Sequence, residues 1–239
     1  MLGLGVITLL LSVAMYRLIK DPAIERKTGS GSGLSGYLEL LKMPVLWLII
    51  PLIAVNYAPA AGIRGLWLGP YLADVYGAST QLIGDISLYM AISMVLDSLL
   101  YGPLDTFFKT RKWVCFVGNS GGAVALVILA LFPMQPLWQV SLLMFAVGIF
   151  GASFGVLMAH ARSFFPLHLT GRGVTLMNFF TIGGVGLTQF LMGQVAQSRF
   201  DAAQPEQTYS LLFAIYAAML GITLLVYLFS ADRKPGQHH

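Results

Sequence analysis

Two serine-containing motifs in the chain match strings found in hydrolase active sites. Gly151-Ala152-Ser153-Phe154-Gly155 fits the G-x-S-x-G nucleophile elbow, and Gly118-Asn119-Ser120-Gly121-Gly122 matches a serine-protease string. The elbow needs a strand–turn–helix context, with Asp and His partners following in the chain. Both motifs instead lie inside apolar stretches, and the histidines fall outside those stretches, at His160, His168, His238 and His239. We therefore interpret both motifs as helix-packing positions and predict that the protein is not an enzyme.

Asp97 places a carboxylate inside an apolar stretch that precedes Asp105. At about 1.5 Å per helical residue, the two acids are about 12 Å apart along a helix axis. A charged side chain within a bilayer is costly, so it should face a partner or a water-filled cavity. Tyr89, Ser93 and Asp97 recur at steps of four, which predicts one polar strip on a helix face. Three roles remain open for Asp97: a hydrogen bond to a neighbouring helix, contact with a substrate, and proton coupling.

These side chains must be positioned by stretches that are apolar enough to cross a membrane. A span needs about 20 mostly apolar residues, and the chain is 57% hydrophobic and only 10% charged. The backbone of a span must satisfy its own hydrogen bonds in lipid, so each stretch should be a helix. The sequence predicts an all-α, polytopic membrane helix bundle with seven transmembrane helices at 1–16, 43–63, 81–102, 113–132, 136–159, 174–197 and 209–230.

The positive charges predict how the helices are oriented. All of the 14 Lys and Arg residues except Arg64 and Arg199 lie in gaps on one side of the predicted membrane. The positive-inside rule places that side in the cytoplasm, with the N-terminus outside and the C-terminus inside. Because the net charge of +4 is explained by topology, we expect no nucleic-acid partner. We expect an integral protein of a bacterial inner membrane, in contact with the lipid bilayer.

The gaps divide the chain into four parts. Residues 1–16 are expected to be a retained transmembrane helix; a cleaved signal peptide is the alternative, but the basic residues follow the apolar run. Residues 17–42 form a cytoplasmic linker with a flexible Gly/Ser stretch and a short helix at 37–42. Residues 43–230 form a six-helix domain, and 231–239 a cytoplasmic tail. The lone Cys115 provides no disulfide and no metal-binding pattern, so we predict no metal and no cofactor.

Prolines and glycines mark two features of the spans. Pro51 and Pro59 lie within one predicted crossing, where they either bend the helix for packing or form a hinge that lines a cavity. The span at 174–197 contains Gly183, Gly184, Gly186 and Gly193. Small residues let helices approach closely, so we expect a packed interface there, with a sliding interface as the alternative.

The gap between the third and fourth predicted spans carries the most specific pattern. From Gly102 it runs through Asp105 to Arg111 and Lys112. This order resembles the cytoplasmic signature loop of the major facilitator superfamily, which holds the cytoplasmic ends of helices together in one transport state. By resemblance, Gly102 permits a close turn, Asp105 is the acid, and Arg111 and Lys112 are the basic pair. Thr106 departs from the family pattern, which has a basic residue after the acid.

Two further stretches support the resemblance. Residues 66–77 look like the outer end of the seventh family helix, and residues 162–173 look like the loop between the tenth and eleventh helices. The predicted segments from 43 to 230 would then be family helices seven to twelve, arranged as inverted three-helix repeats. Residues 1–16 would be the end of family helix six, which belongs to the N-terminal half, and residues 17–42 the central loop. The resemblance implies the C-terminal half of a secondary transporter that moves a small-molecule substrate by alternating access. The partner would be a missing N-terminal six-helix half or a second copy, and the chain alone should be inactive.

Polar side chains within the spans are the candidates for a substrate cavity. We expect them to converge on an aqueous path, with Asp97 also the proton-coupling candidate; they are Asn56, Tyr57, Tyr89, Ser93, Asp97, Asn178, Thr181 and Gln189. Two other functions remain open. A seven-helix receptor shares the predicted topology, although the last span lacks the lysine that a retinal protein needs, and a membrane-embedded enzyme would need a catalytic pair or metal cluster.

Overall fold

The computed structural model describes residues 5, 8–9, 11–15, 34–151 and 153–233. The described residues between 5 and 15 are helical; the remainder of the first predicted span, and residues 17–33, lie outside the described part. Residues 34–233 belong to one compact unit. Within the described part there are six helices long and apolar enough to cross a membrane, and no strand. The predicted all-α membrane bundle is confirmed.

The first span of this unit is built from short helical segments that start at prolines. A short helix, α1 (Ser35–Leu41), precedes it. The span itself runs from Pro44 to Tyr76 and contains α2 (Pro44–Trp47), α3 (Ile50–Val55), α4 (Ala58–Gly62), a π-helical turn (Ile63–Trp67) and α5 (Leu68–Tyr76). Pro44, Pro51 and Pro59 each stand in the first turn of a segment, where the missing N–H has no intrahelical partner to lose.

The predicted end of this span at residue 63 was too early. The helical path continues through the π-helical turn and α5 to Tyr76, and Gly77 ends it with a left-handed backbone at φ 60°. Glycine tolerates that conformation without steric cost, which makes it a common helix terminator.

The other five spans contain fewer breaks. They are α6 (Thr80–Phe108), α7 (Lys112–Leu131), a fourth span formed by α8 (Leu137–Phe150) and α9 (Phe154–Arg162), α10 (Thr170–Arg199) preceded by a 3₁₀ turn (Leu167–Leu169), and α11 (Pro205–Tyr227). The fourth span is interrupted where α8 ends at Phe150 and α9 begins at Phe154.

The close turn predicted at Gly102 is wrong. Gly102 lies inside α6, which continues through Pro103 to Phe108. An internal proline removes one backbone donor and tends to kink a helix, but it need not end it. The chain turns instead at Lys109, whose φ of 54° places it in the left-handed region.

The six spans pack in a pattern that repeats between the first three and the last three. Helix α6 packs on α8 as α10 packs on α3, and α7 packs on α8 as α11 packs on α3. We call the first three and the last three spans the two triplets. The remaining major contact joins α7 to α11, which are the last helices of the two triplets. Exchanging the two triplets therefore exchanges the first four contacts in pairs and leaves the α7–α11 contact unchanged. A triplet has an odd number of spans, so the second is inverted relative to the first, which is the arrangement of inverted repeats.

Two glycines make the equivalent close contacts of this pattern. A Cβ atom on Gly184 of α10 would overlap the carbonyl oxygen of Ala54, and one on Gly148 of α8 would overlap the hydroxyl of Ser93. The predicted close packing is thus confirmed at Gly184. It is wrong for Gly183, Gly186 and Gly193, at which an added Cβ would meet nothing within 4 Å among the described residues.

The neighbouring glycines of α10 provide a matched test of this packing. We expect Gly184→Ala to lower the free energy of unfolding by about 1–3 kcal/mol, because the obstacle is backbone and cannot rotate away. Gly183→Ala should be neutral or stabilising by up to about 1 kcal/mol, since alanine favours helix. Denaturation of the purified chain in detergent measures both values. Equal effects of the two substitutions would contradict the proposed contact.

Candidate functional site

An ion pair closes the turn between α6 and α7. The Arg111 Nε donates to Asp105 Oδ2 at 3.1 Å, with side-chain exposures of 18% and 12%. The Thr106 hydroxyl donates to the other oxygen of Asp105 at 3.1 Å. Arg111 Nη1 also donates to the carbonyl oxygen of Ala159 in α9 at 3.4 Å. The pair therefore connects the ends of three helices, α6, α7 and α9, although Gly102 makes no turn.

A second set of contacts fastens the residues after α11 to the same end. Lys112 Nζ donates to the carbonyl oxygen of Leu228 at 2.6 Å, and the backbone N–H of Lys112 donates to Asp232 Oδ1 at 3.2 Å. The Thr110 hydroxyl donates to Asp232 Oδ2. A carboxylate at a helix N-terminus is favoured because it accepts from free N–H groups there. Sequence reasoning missed Asp232, because no local motif shows that a tail residue returns to the start of α7.

A cleft of about 520 Å³ lies between the first span, α6, α9 and α10. Three of the eight predicted cavity residues line it: Tyr57, Asn178 and Thr181. Gly102 and Asp105 of the signature pattern also line it. Tyr101 and Ser98 of α6 also line it, although the sequence analysis did not select them as cavity residues. The structure thus brings part of the predicted cavity set together with part of the signature loop.

The other five predicted cavity residues do not line this cleft. Tyr89 is 52% exposed elsewhere on α6, and Gln189 is partly buried on α10. The Ser93 hydroxyl is buried and donates to the carbonyl oxygen of Met90 at 2.8 Å. Asp97 is fully buried, and neither of its carboxylate oxygens has a hydrogen-bond partner in the part of the chain that the structure describes. It stands one helical turn from Tyr101, which does line the cleft.

Asn56 belongs to a buried polar cluster that joins the breaks of two spans. Asn56 follows α3, and its Nδ2 donates to the Ser153 hydroxyl at 3.3 Å. Ser153 immediately precedes α9 and also accepts from Asn119 Nδ2 of α7 at 2.7 Å. All three side chains are 0–1% exposed. The serine of the hydrolase-like motif therefore has a packing role, with no histidine among these hydrogen-bond partners.

His160 was expected in a gap but lies buried in α9. Its Nδ1 is 2.7 Å from the Tyr227 hydroxyl, and its Nε2 is 2.9 Å from the carbonyl oxygen of Ala231. It thus connects α9 to the end of α11. Among the described residues, no three His, Cys, Asp or Glu side chains are close enough to hold a metal ion.

A double-mutant cycle tests the Asp105–Arg111 pair. We expect Asp105→Asn and Arg111→Gln, alone and together, to give a coupling energy of about 1–3 kcal/mol in unfolding, because the partly buried charges are in contact. Glu39 and His168 form the control pair, since they lie 3.8 Å apart and are each 56% exposed. Their coupling should stay below about 1 kcal/mol. A coupling for Asp105–Arg111 no larger than that of the control would contradict this assignment.

Comparison with known proteins agrees with the membrane helix bundle. A family description, Major Facilitator Superfamily, matches residues 56–239, which is most of the chain and includes five complete spans and part of the first. No curated protein sequence matches significantly. Members of the matched family are membrane transporters rather than enzymes, and six apolar helices place this protein in a lipid bilayer. The chain belongs to the major facilitator superfamily.

Proposed function

We propose that this chain acts as the C-terminal half of a secondary transporter that moves a small solute by alternating access. Its six described spans would correspond to family helices seven to twelve. A second six-helix unit, either an N-terminal half or another copy of this chain, would complete the solute path. We place the protein in a bacterial inner membrane with the turn between α6 and α7 in the cytoplasm, because the basic residues gather at that end.

The cleft is the observation that carries this proposal. Three residues with polar side chains, Tyr57, Asn178 and Thr181, line it from two different spans. Its volume of about 520 Å³ falls within the range of small-molecule sites, about 300–1,000 Å³. Polar side chains are costly where they face hydrocarbon. Their convergence in an apolar bundle therefore supports a water-accessible solute site.

The ion pair provides a contact that alternating access can break and remake. Asp105 lines the cleft and also holds Arg111, which in turn reaches α9. Movement of α9 relative to α6 would change these contacts before it changed the apolar packing at mid-span. We propose that this contact closes one end of the solute path. We assign Gly102, Asp105, Arg111 and Lys112 to it.

Asp97 is our candidate for proton coupling. Its carboxylate is buried without a hydrogen-bond partner in residues 34–151 and 153–233. An unpaired buried charge is destabilising unless a proton or another group compensates it. The position one turn from the cleft-lining Tyr101 would let that compensation depend on the state of the cleft.

Thiol labelling tests whether the cleft contains water. Cys115 is the only cysteine and is buried, so Cys115→Ala provides a background without reactive thiols. We expect Tyr57→Cys and Asn178→Cys, at a half-buried and an exposed position of the cleft, to react with a membrane-impermeant, charged thiosulfonate in the folded protein. Val124→Cys is the control, because Val124 is 58% exposed in the middle of α7 and should face lipid. Labelling of the cleft positions no faster than that of the control would refute an aqueous cleft.

Transport by the complete protein tests the role of Asp97. Proteoliposomes containing this chain and its complementary half should take up solute saturably and drive proton movement. We expect Asp97→Asn to abolish accumulation against a gradient while exchange at equal solute concentrations continues. Asp85→Asn is the control, because Asp85 is an exposed acid near the start of the same helix. Unchanged proton dependence in Asp97→Asn would eliminate the coupling role, and saturable uptake by the monomeric chain alone would contradict the half-transporter proposal.

A further inference from the structure

A second cavity, which we call the arginine pocket, lies at the same end of the bundle as the Asp105–Arg111 pair. Its volume is about 540 Å³, and Arg111, Arg162 and Arg233 all line it. Among the residues that the structure describes, no acidic side chain belongs to its lining. The arginine pocket is separate from the proposed solute cleft, although both include Ala159 in their walls.

Contacts hold two of the three guanidinium groups at the pocket and leave some of their donors free. Arg233 Nη1 donates to the carbonyl oxygen of Ser163 at 2.6 Å, and its guanidinium carbon lies 4.5 Å from the centre of the Phe164 ring. Arg111 is fixed by Asp105 and Ala159. Arg162 is exposed and has no hydrogen-bond or ion-pair partner among the residues that the structure describes. Each guanidinium has more N–H donors than these contacts use.

The charge balance at the arginine pocket is positive. Asp105 compensates Arg111, while Asp232 is engaged by Thr110 and the backbone of Lys112. Within the described part of the chain, Arg162 and Arg233 therefore have no acidic side chain in contact. Gathering like charges is unfavourable unless an anion joins them. Planar guanidinium groups that converge on one space match the oxygens of a phosphate group, which they bind through paired hydrogen bonds.

Apart from Ser163 and Thr170, the rest of the lining is apolar, and this apolar part indicates what the phosphate is attached to. Phe164 and Phe165 form part of the wall, and Leu167, which is 80% exposed, stands at the edge. Arg162 ends α9, and Leu167 begins the 3₁₀ turn that leads into α10. The arginine pocket thus lies at the end of two membrane-spanning elements, at the level where lipid headgroups meet the acyl region. Basic pockets between spans are suited to anionic lipid headgroups.

We propose that the arginine pocket binds a phosphate group, supplied in the membrane by the headgroup of an anionic phospholipid. Arg162 and Arg233 hold the phosphate oxygens, and Leu167 and the phenylalanine wall contact the start of the acyl chains. Free phosphate shares the same recognition chemistry and is the other source. The site does not depend on which solute occupies the cleft.

Binding to the purified full chain in neutral detergent tests this site. The probes are dihexanoyl phosphatidylglycerol, dihexanoyl phosphatidylcholine and inorganic phosphate, titrated separately by calorimetry. We expect the anionic lipid to bind at least about tenfold more tightly than the zwitterionic one. Arg162→Gln should weaken binding of the anionic lipid about tenfold, the usual cost of losing a hydrogen bond to a charged group. Arg162→Lys should recover only part of the affinity, because lysine lacks the planar fork.

Arg199→Gln is the matched control, because Arg199 is an exposed arginine at the opposite end of α10. It should leave the affinity unchanged, and thermal unfolding should show that both variants remain folded. If inorganic phosphate binds weakly, the lipid is the source of the phosphate group. If inorganic phosphate binds as tightly as the anionic lipid, free phosphate is the source. Equal affinity for both lipids, or equal losses in Arg162→Gln and Arg199→Gln, would overturn the proposal.

Discussion

The structure depends on one constraint: the hydrocarbon core of a membrane offers no hydrogen-bond partners to backbone N–H and C=O groups that an interrupted helix leaves free. The first span is the most interrupted and also the most enclosed by protein. Of its 18-residue apolar stretch, 67% is buried, against 22–44% of the corresponding stretches in the other five spans. Non-helical backbone at membrane depth is tolerated only inside protein or beside a cavity. Burial of this span therefore requires two neighbours, α10 and α11, to pack against α3. The placement of the cleft beside Tyr57 follows from the same break.

The middle and the end of the bundle are held by different kinds of interaction. At mid-span, Gly184 and Gly148 bring backbones together, and the Asn56–Ser153–Asn119 cluster joins three spans inside the apolar core. Such contacts resist separation because a freed amide would face hydrocarbon. At the end, Asp105 and Arg111 are partly exposed, so water can replace their bond at lower cost. A transporter that rocks its helices can open at the charged end while the spans stay joined at the middle.

The sequence predicts the spans well because membrane thickness sets their length, but it predicts their ends and neighbours less well. The spans predicted to end at residues 63 and 102 extend to Tyr76 and Phe108, because the sequence becomes more polar before the helix ends. Periodicity placed Tyr89 and Asp97 on one strip, yet Tyr89 is exposed and Asp97 is buried. A helical period relates residues within one helix and does not identify which helix lies opposite. For that reason Tyr57, Asn178 and Thr181 met in a cleft, while Gln189 did not.

We interpret the buried polar atoms that lack hydrogen-bond partners as the places where the helices rearrange during transport. Besides Asp97, the Oδ1 atoms of Asn56 and Asn119 are buried without partners in the described residues. Both amides donate from Nδ2 to the hydroxyl oxygen of Ser153. The Ser153 hydroxyl itself has only one proton to donate. The hydroxyl proton can serve only one of the two amides at a time, and a partly satisfied buried network is less favourable than a fully satisfied one. Because Asn56 and Ser153 stand at the breaks of the first and fourth spans, a switch of that donor would be linked to bending at both breaks. The inverted repeats would then bend together, which is the movement that alternating access requires of one half.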